Sequence, residues 1–149
     1  MGGRATARNL YFVNTTQHEI RAGAALHPTP SEIPETLNTI IQFATFTGTK
    51  DSCCGESVTK KLYDDATGPK PYANMIGARH SEPTNALFGR NDWSAYVAAW
   101  FQIFLIDTST SVINEMSYSY NLIYGTDSDS LCGSSIGMSD DCEALITLS

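Results

Sequence analysis

The side chains able to do chemistry are three His (His18, His27, His80), four Cys (Cys53, Cys54, Cys132, Cys142) and the carboxylates that crowd the C-terminal part. Acid–base or nucleophilic catalysis needs a base beside a nucleophile or a metal. The His residues fall in unrelated segments, and no H-E-x-x-H spacing occurs. Gly133-Ser134-Ser135-Ile136-Gly137 has a superficial likeness to a nucleophile elbow but no helix-forming segment after it. Asp127-Ser128-Asp129 lacks the Gly and distal Glu of an EF-hand loop, so a solvated acidic loop is expected there. The expectation is a chain without catalytic residues, metal or cofactor.

Two disulfides would fit four Cys in a charge-poor chain and would imply an oxidising setting. Neighbouring Cys bond each other rarely because the peptide between them strains. The preferred pairing therefore ties Cys53 and Cys54 each to one of Cys132 and Cys142, with buried free thiols as the alternative. No paired C-x-x-C spacing marks a structural zinc site.

Charge excludes one class of partner. The formal net charge is -7, and no Lys or Arg lies beyond Arg90. That half would repel a phosphate backbone, so nucleic acid is not an expected partner. It carries both Trp (Trp93 and Trp100). Phe88, Trp93 and Tyr96 surround the polar turn Gly89-Arg90-Asn91-Asp92, where amphipathic rings would suit a membrane interface. Mid-run Trp100 is expected in the core.

The elements that would position these groups read as strands. The chain has 149 residues, 42% of them hydrophobic and only 17% charged. That length suits one domain with a sizeable core. Leu10 to Val13 and His18 to Ala22 read as a hairpin. Ile33 to Phe46 fits either a helical face or, from Thr39 onward, the expected strand. Ser57 to Tyr63 reads as a ragged strand, and Asp64 to Pro83 as a long loop, functional or hiding a short element. Val112 to Tyr124 alternates well and pairs with Tyr96 to Ile106, for which a helix capped by Asp92 is the alternative. A last strand is expected at Ala144 to Leu148. Seven or eight short strands indicate an all-β, single-domain, two-sheet antiparallel β-sandwich over residues 1–149, with an acidic Cys-bearing extension from about residue 125.

Three segments carry a resemblance. Arg8-Asn9-Leu10-Tyr11-Phe12-Val13-Asn14-Thr15-Thr16 and Asn85-Ala86-Leu87-Phe88-Gly89-Arg90-Asn91-Asp92-Trp93 are similar to the opening strands and the Gly-containing turn of the aegerolysins, with Met116 to Ile123 similar to a late strand. Ala86 stands where that family commonly has Pro. The resemblance implies a lipid-binding, non-enzymatic β-sandwich, one component of a two-part pore-forming and in some pairs insecticidal toxin, acting with a larger perforin-like protein. It also implies synthesis without a signal peptide and action at target membranes, with self-association open. The lipid-facing set would be Phe88, Trp93 and Tyr96 with Tyr72 from the long loop. A self-assembling structural subunit and a glycan-binding lectin are the competing expectations.

Overall fold

A computed structural model describes residues 3, 5–6, 21–28, 42–66, 69–81, 92–105, 113–133 and 142–145. Within them the chain is a mixed α/β structure, and the expected all-β sandwich is corrected. Strands β1 (Ala22–Leu26), β2 (Gln42–Gly48), β3 (Lys70–Met75) and β4 (Cys142–Leu145) form one four-stranded sheet in that order. The first three run parallel, and β4 joins β3 antiparallel. Helix α1 (Glu56–Asp65) links β2 to β3, and α2 (Asp92–Leu105) and α3 (Ile113–Tyr124) follow β3.

Parallel strands need a covered sheet, and the sequence supplies apolar groups for both faces. Ala44, Phe46, Ala73 and Met75 belong to one cluster with Tyr96, Ala99 and Trp100 of α2 and Leu122 and Ile123 of α3. The alternate residues point the other way, where the Tyr72 ring meets Tyr63 of α1 at 5.8 Å between centroids. Phe43 and Phe46, one per face, are both fully buried. Burial of each contributes about 1.5–3 kcal/mol.

Three expected strands are helices, and the reason is the same in each. In α2, Tyr96, Ala99 and Trp100 are buried while Ile103 and Phe104 pack partly against the same cluster. That is the spacing of one helical face. Among the described side chains of α3 the buried ones are Ser119, Leu122 and Ile123, whereas Tyr118 and Tyr120, which strand alternation would place on one face with Leu122, lie 68% and 40% exposed. In α1 they are Thr59, Leu62 and Tyr63. Aromatic and β-branched content favoured strands, but tertiary burial with a period of 3.6 decided. The expected strand after Thr39 is present as β2, and the long loop does hide an element, β3. The strand expected at Ala144 to Leu148 overlaps β4 (Cys142–Leu145) at its first two residues, and the rest of it lies outside the described residues. Residues 8–20 and 85–91, which carried most of the resemblance, lie outside the described residues.

Two ties lock helices to the sheet. Trp100 Nε1 donates to the carbonyl of Gly23 in β1 at 3.0 Å, so its buried polar atom is satisfied. Lys70 Nζ donates to the carbonyls of Tyr63 and Ala66 at 2.6 and 2.7 Å, placing a cation on the C-terminal carbonyls of α1. No described helix is long and apolar enough to cross a membrane.

Candidate functional site

Three loops leave the carboxyl ends of β1, β2 and β3, the edge of a parallel sheet where ligands commonly bind. The first carries His27, the second Asp51, Cys53 and Cys54, the third His80. Sequence distance hid this meeting, because the residues lie in three separate connections.

The backbone is built to hold the loops together. The Lys50 amide donates to the Ala78 carbonyl at 3.0 Å, and the Thr49 amide to that of Met75 at 3.0 Å. Gly48 sits so close that a Cβ there would lie 2.3 Å from the Ala78 carbonyl oxygen. A side chain at 48 would thus wedge apart the loops bearing Asp51 and His80. Gly77 turns the third loop with φ of 79°, in the region favoured by glycine. His27 adopts φ of 46° without being glycine. Such strain persists where the surroundings fix it, and it concentrates at functional sites.

Asp51 is the hub. Its side chain has no solvent exposure. Oδ1 accepts the amides of Cys53 and Cys54 at 2.9 and 3.0 Å, an Asp-initiated turn that bends residues 52–54. Oδ2 faces His27 Nδ1 at 2.6 Å and His80 Nδ1 at 3.1 Å. Burial pushes the Asp51 carboxyl up, but hydrogen bonds from His80, the Cys54 and Cys53 amides and His27 outweigh it and hold the group below the usual carboxylate value. An ionised Asp51 accepting from both Nδ1 atoms places each His in the tautomer whose Nε2 is an acceptor. The two imidazoles meet edge to face at 5.5 Å. The His27 side chain is 2% exposed and that of His80 37%, so His80 is the member that solvent reaches.

Cys53 is exposed and Cys54 buried, and both are free thiols. The expected linkages from them to Cys132 and Cys142 are not formed. The bend turns the two side chains to the same side, and the Cys54 thiol donates to Cys53 Sγ at 2.9 Å. Burial, the Cys53 contact and the nearby Asp51 charge push the Cys54 thiol up to about 12, against a lowering from the N-terminal charge. A His80 ring nitrogen and both Sγ atoms lie within 4.8 Å of one another, and so do donor atoms of His27, Asp51 and His80.

Two of the four expected lipid-facing residues, Tyr72 and Tyr96, lie in the core. Tyr72 is fully buried in β3, and Tyr96 is 4% exposed on α2 with its hydroxyl donating to the Asp129 carbonyl at 3.0 Å. Both belong to the core because each lies on a sheet-facing or helix-facing stripe. Phe88 lies outside the described residues, as does the side chain of Trp93, whose backbone belongs to α2. Trp100 is fully buried, as expected. Ser134 to Gly137 and His18 fall outside the described residues.

The missed site had one signal. An Asp three residues beyond one short strand and a His five residues beyond the next both fall just past the carboxyl ends of neighbouring parallel strands, where connections meet. Reading 70–75 as loop and 57–63 as strand concealed it. No protein-family model matches the chain, and no curated protein matches it significantly.

Proposed function

We propose that the chain carries the acid–histidine pair of a hydrolytic acyl-transfer site, with His80 as general base and acid and Asp51 as the group that orients it. The observation that carries this reading is the contact of His80 Nδ1 with a fully buried carboxylate that two backbone amides hold in place, at the carboxyl edge of a parallel sheet. It departs from the expectation of a non-catalytic chain, which rested on His residues being far apart in sequence. The β-sandwich behind the membrane-binding expectation is replaced by an α/β sheet, so that expectation loses its frame.

The chemistry follows from the geometry. Asp51 fixes the His80 tautomer and stabilises the imidazolium that forms when Nε2 takes a proton. The nucleophile whose proton His80 takes adds to an ester-type carbonyl, and the imidazolium returns that proton to the departing alcohol. Water, deprotonated by His80, then adds to the acyl group; its bond to the nucleophile breaks, the acid leaves and the imidazolium returns the proton to the nucleophile. Cys53 is the exposed thiol in the cluster and is the nucleophile that the described residues offer. Cys54, buried and holding its proton tightly, is unsuited to the role. His27 steadies Asp51 from the other side.

Hydrolysis of p-nitrophenyl butyrate by the protein purified from its native source, beside His80→Gln and Asp51→Asn variants made in the same host, tests the reading. Each variant is expected to lose about a thousandfold or more in kcat/KM with circular dichroism retained for His80→Gln. Iodoacetamide blocks a thiol nucleophile and a fluorophosphonate a hydroxyl, so the inhibitor that stops turnover identifies which is used. An inactive native protein, or full activity in His80→Gln, would overturn the proposal.

A further inference from the structure

The convergence of two adjacent thiols on His80 is not needed by a hydrolytic pair, which uses one nucleophile. We propose that Cys53, Cys54 and His80 form a binding site for one thiophilic divalent cation of the zinc class.

Adjacent side chains in extended chain point to opposite sides, so two neighbouring Cys seldom reach one atom. Here the bend at residues 52–54, fixed by Asp51 Oδ1, brings both Sγ atoms to 2.9 Å from each other. Zn–S bonds of about 2.3 Å at a tetrahedral angle set sulfurs roughly 3.8 Å apart, so seating the ion requires the Cys53 thiol to swing outward by about an ångström. Cys53 is exposed and free to do so. His80 supplies the third donor, a ring nitrogen within 4.8 Å of both sulfurs.

The support behind His80 is already of the kind that metal sites use. Its Nδ1 meets a carboxylate, which leaves Nε2 as the acceptor face and fixes the ring direction, the carboxylate–histidine–metal arrangement. Solvent reaches His80 and Cys53, which gives the ion an entry path. Three protein donors leave the fourth position to water. The alternative grouping of His27, Asp51 and His80 is weaker, because Asp51 Oδ2 already accepts from both rings and the pocket around His27 is buried.

Binding forms two metal–sulfur bonds and one metal–nitrogen bond and releases both thiol protons to solvent. The site shares His80 with the hydrolytic reading but does not rest on it. A bound ion would occupy Nε2 and inhibit turnover.

Cd2+ titration of the reduced full chain, followed by the thiolate-to-metal charge-transfer absorption in the ultraviolet, tests the site without reference to activity. One ion per chain and two protons released per ion are expected, with Zn2+ displacing Cd2+. Cys53→Ser and Cys54→Ser should each weaken the absorption and lower affinity. His80→Gln should lower affinity by about tenfold or more while keeping the sulfur signal. Absence of the band, its survival in the Cys53→Ser/Cys54→Ser double variant, or an end point of one ion per two chains would overturn the proposal. Metal binding that gives no band and disappears in Asp51→Asn would assign the ion to the rejected grouping instead.

Discussion

Replacing Asp51 with Asn keeps the shape of the hub and reverses half of its chemistry. Asn retains an oxygen for the Cys53 and Cys54 amides, which Oδ1 now accepts at 2.9 and 3.0 Å. In place of Oδ2 it puts an NH2 group against two imidazole nitrogens at 2.6 and 3.1 Å, both of which are donors in the wild-type arrangement. Hydrogen bonds to a charged group contribute about 1.5–3 kcal/mol each, and neutral ones about 0.5–1.5. Two strong bonds are lost and two are weakened, offset by no longer burying a charge, whose desolvation costs several kcal/mol. The net expectation is a loss of about 2–4 kcal/mol, which lowers Tm by about 5–15 °C at this chain length.

The pH dependence gives this prediction a second handle. Asp51 has a folded-state pKa below its unfolded value of about 3.9. A depressed acid contributes stability that is fully present above the unfolded value and lost as pH falls through the folded one. The wild-type advantage over Asp51→Asn should therefore shrink as pH falls below about 4, measured by urea unfolding at each pH. A variant that costs under about 0.5 kcal/mol, or a gap unchanged at pH 3, would refute the view of Asp51 as an ionised hub.

Gly48→Ala should cost about 1–3 kcal/mol and lower ester turnover, since its Cβ would lie 2.3 Å from a backbone oxygen that cannot swing away. Thermal unfolding and p-nitrophenyl butyrate assays check both effects, and unchanged values would show that the loops tolerate separation. Lys70→Met should shift the urea midpoint downward by about 1–2 kcal/mol equivalent without changing the slope, through loss of the bonds to the Tyr63 and Ala66 carbonyls. Turnover should be unaffected, because Lys70 begins β3 at the end away from His80.

The period of the apolar residues is a property of the chain itself. Tyr96, Ala99, Trp100, Ile103 and Phe104 have helical spacing, yet their β-forming side chains argued for strands, and a short run satisfies both templates. In α3, Met116, Tyr118, Tyr120, Leu122 and Tyr124 alternate so well that the true face, Ser119 with Leu122 and Ile123, was hidden by exposed tyrosines. Strand β3 contains Lys70, Pro71 and Asn74, residues that local preference assigns to loops. It is held by pairing with β2 and β4 and by burial on both faces, and these are non-local terms.

By itself the sequence determined the acidic balance, the burial of Trp100 and the strand that became β2. These depend on side-chain type, on net charge or on a run long enough to carry its own signal. The tertiary structure alone decided that His27, Asp51 and His80 share one carboxylate oxygen and that Cys53 and Cys54 face the same His. Parallel pairing aligns the ends of strands that are separated by whole connections, and a site made at aligned ends has no spacing along the chain by which to recognise it.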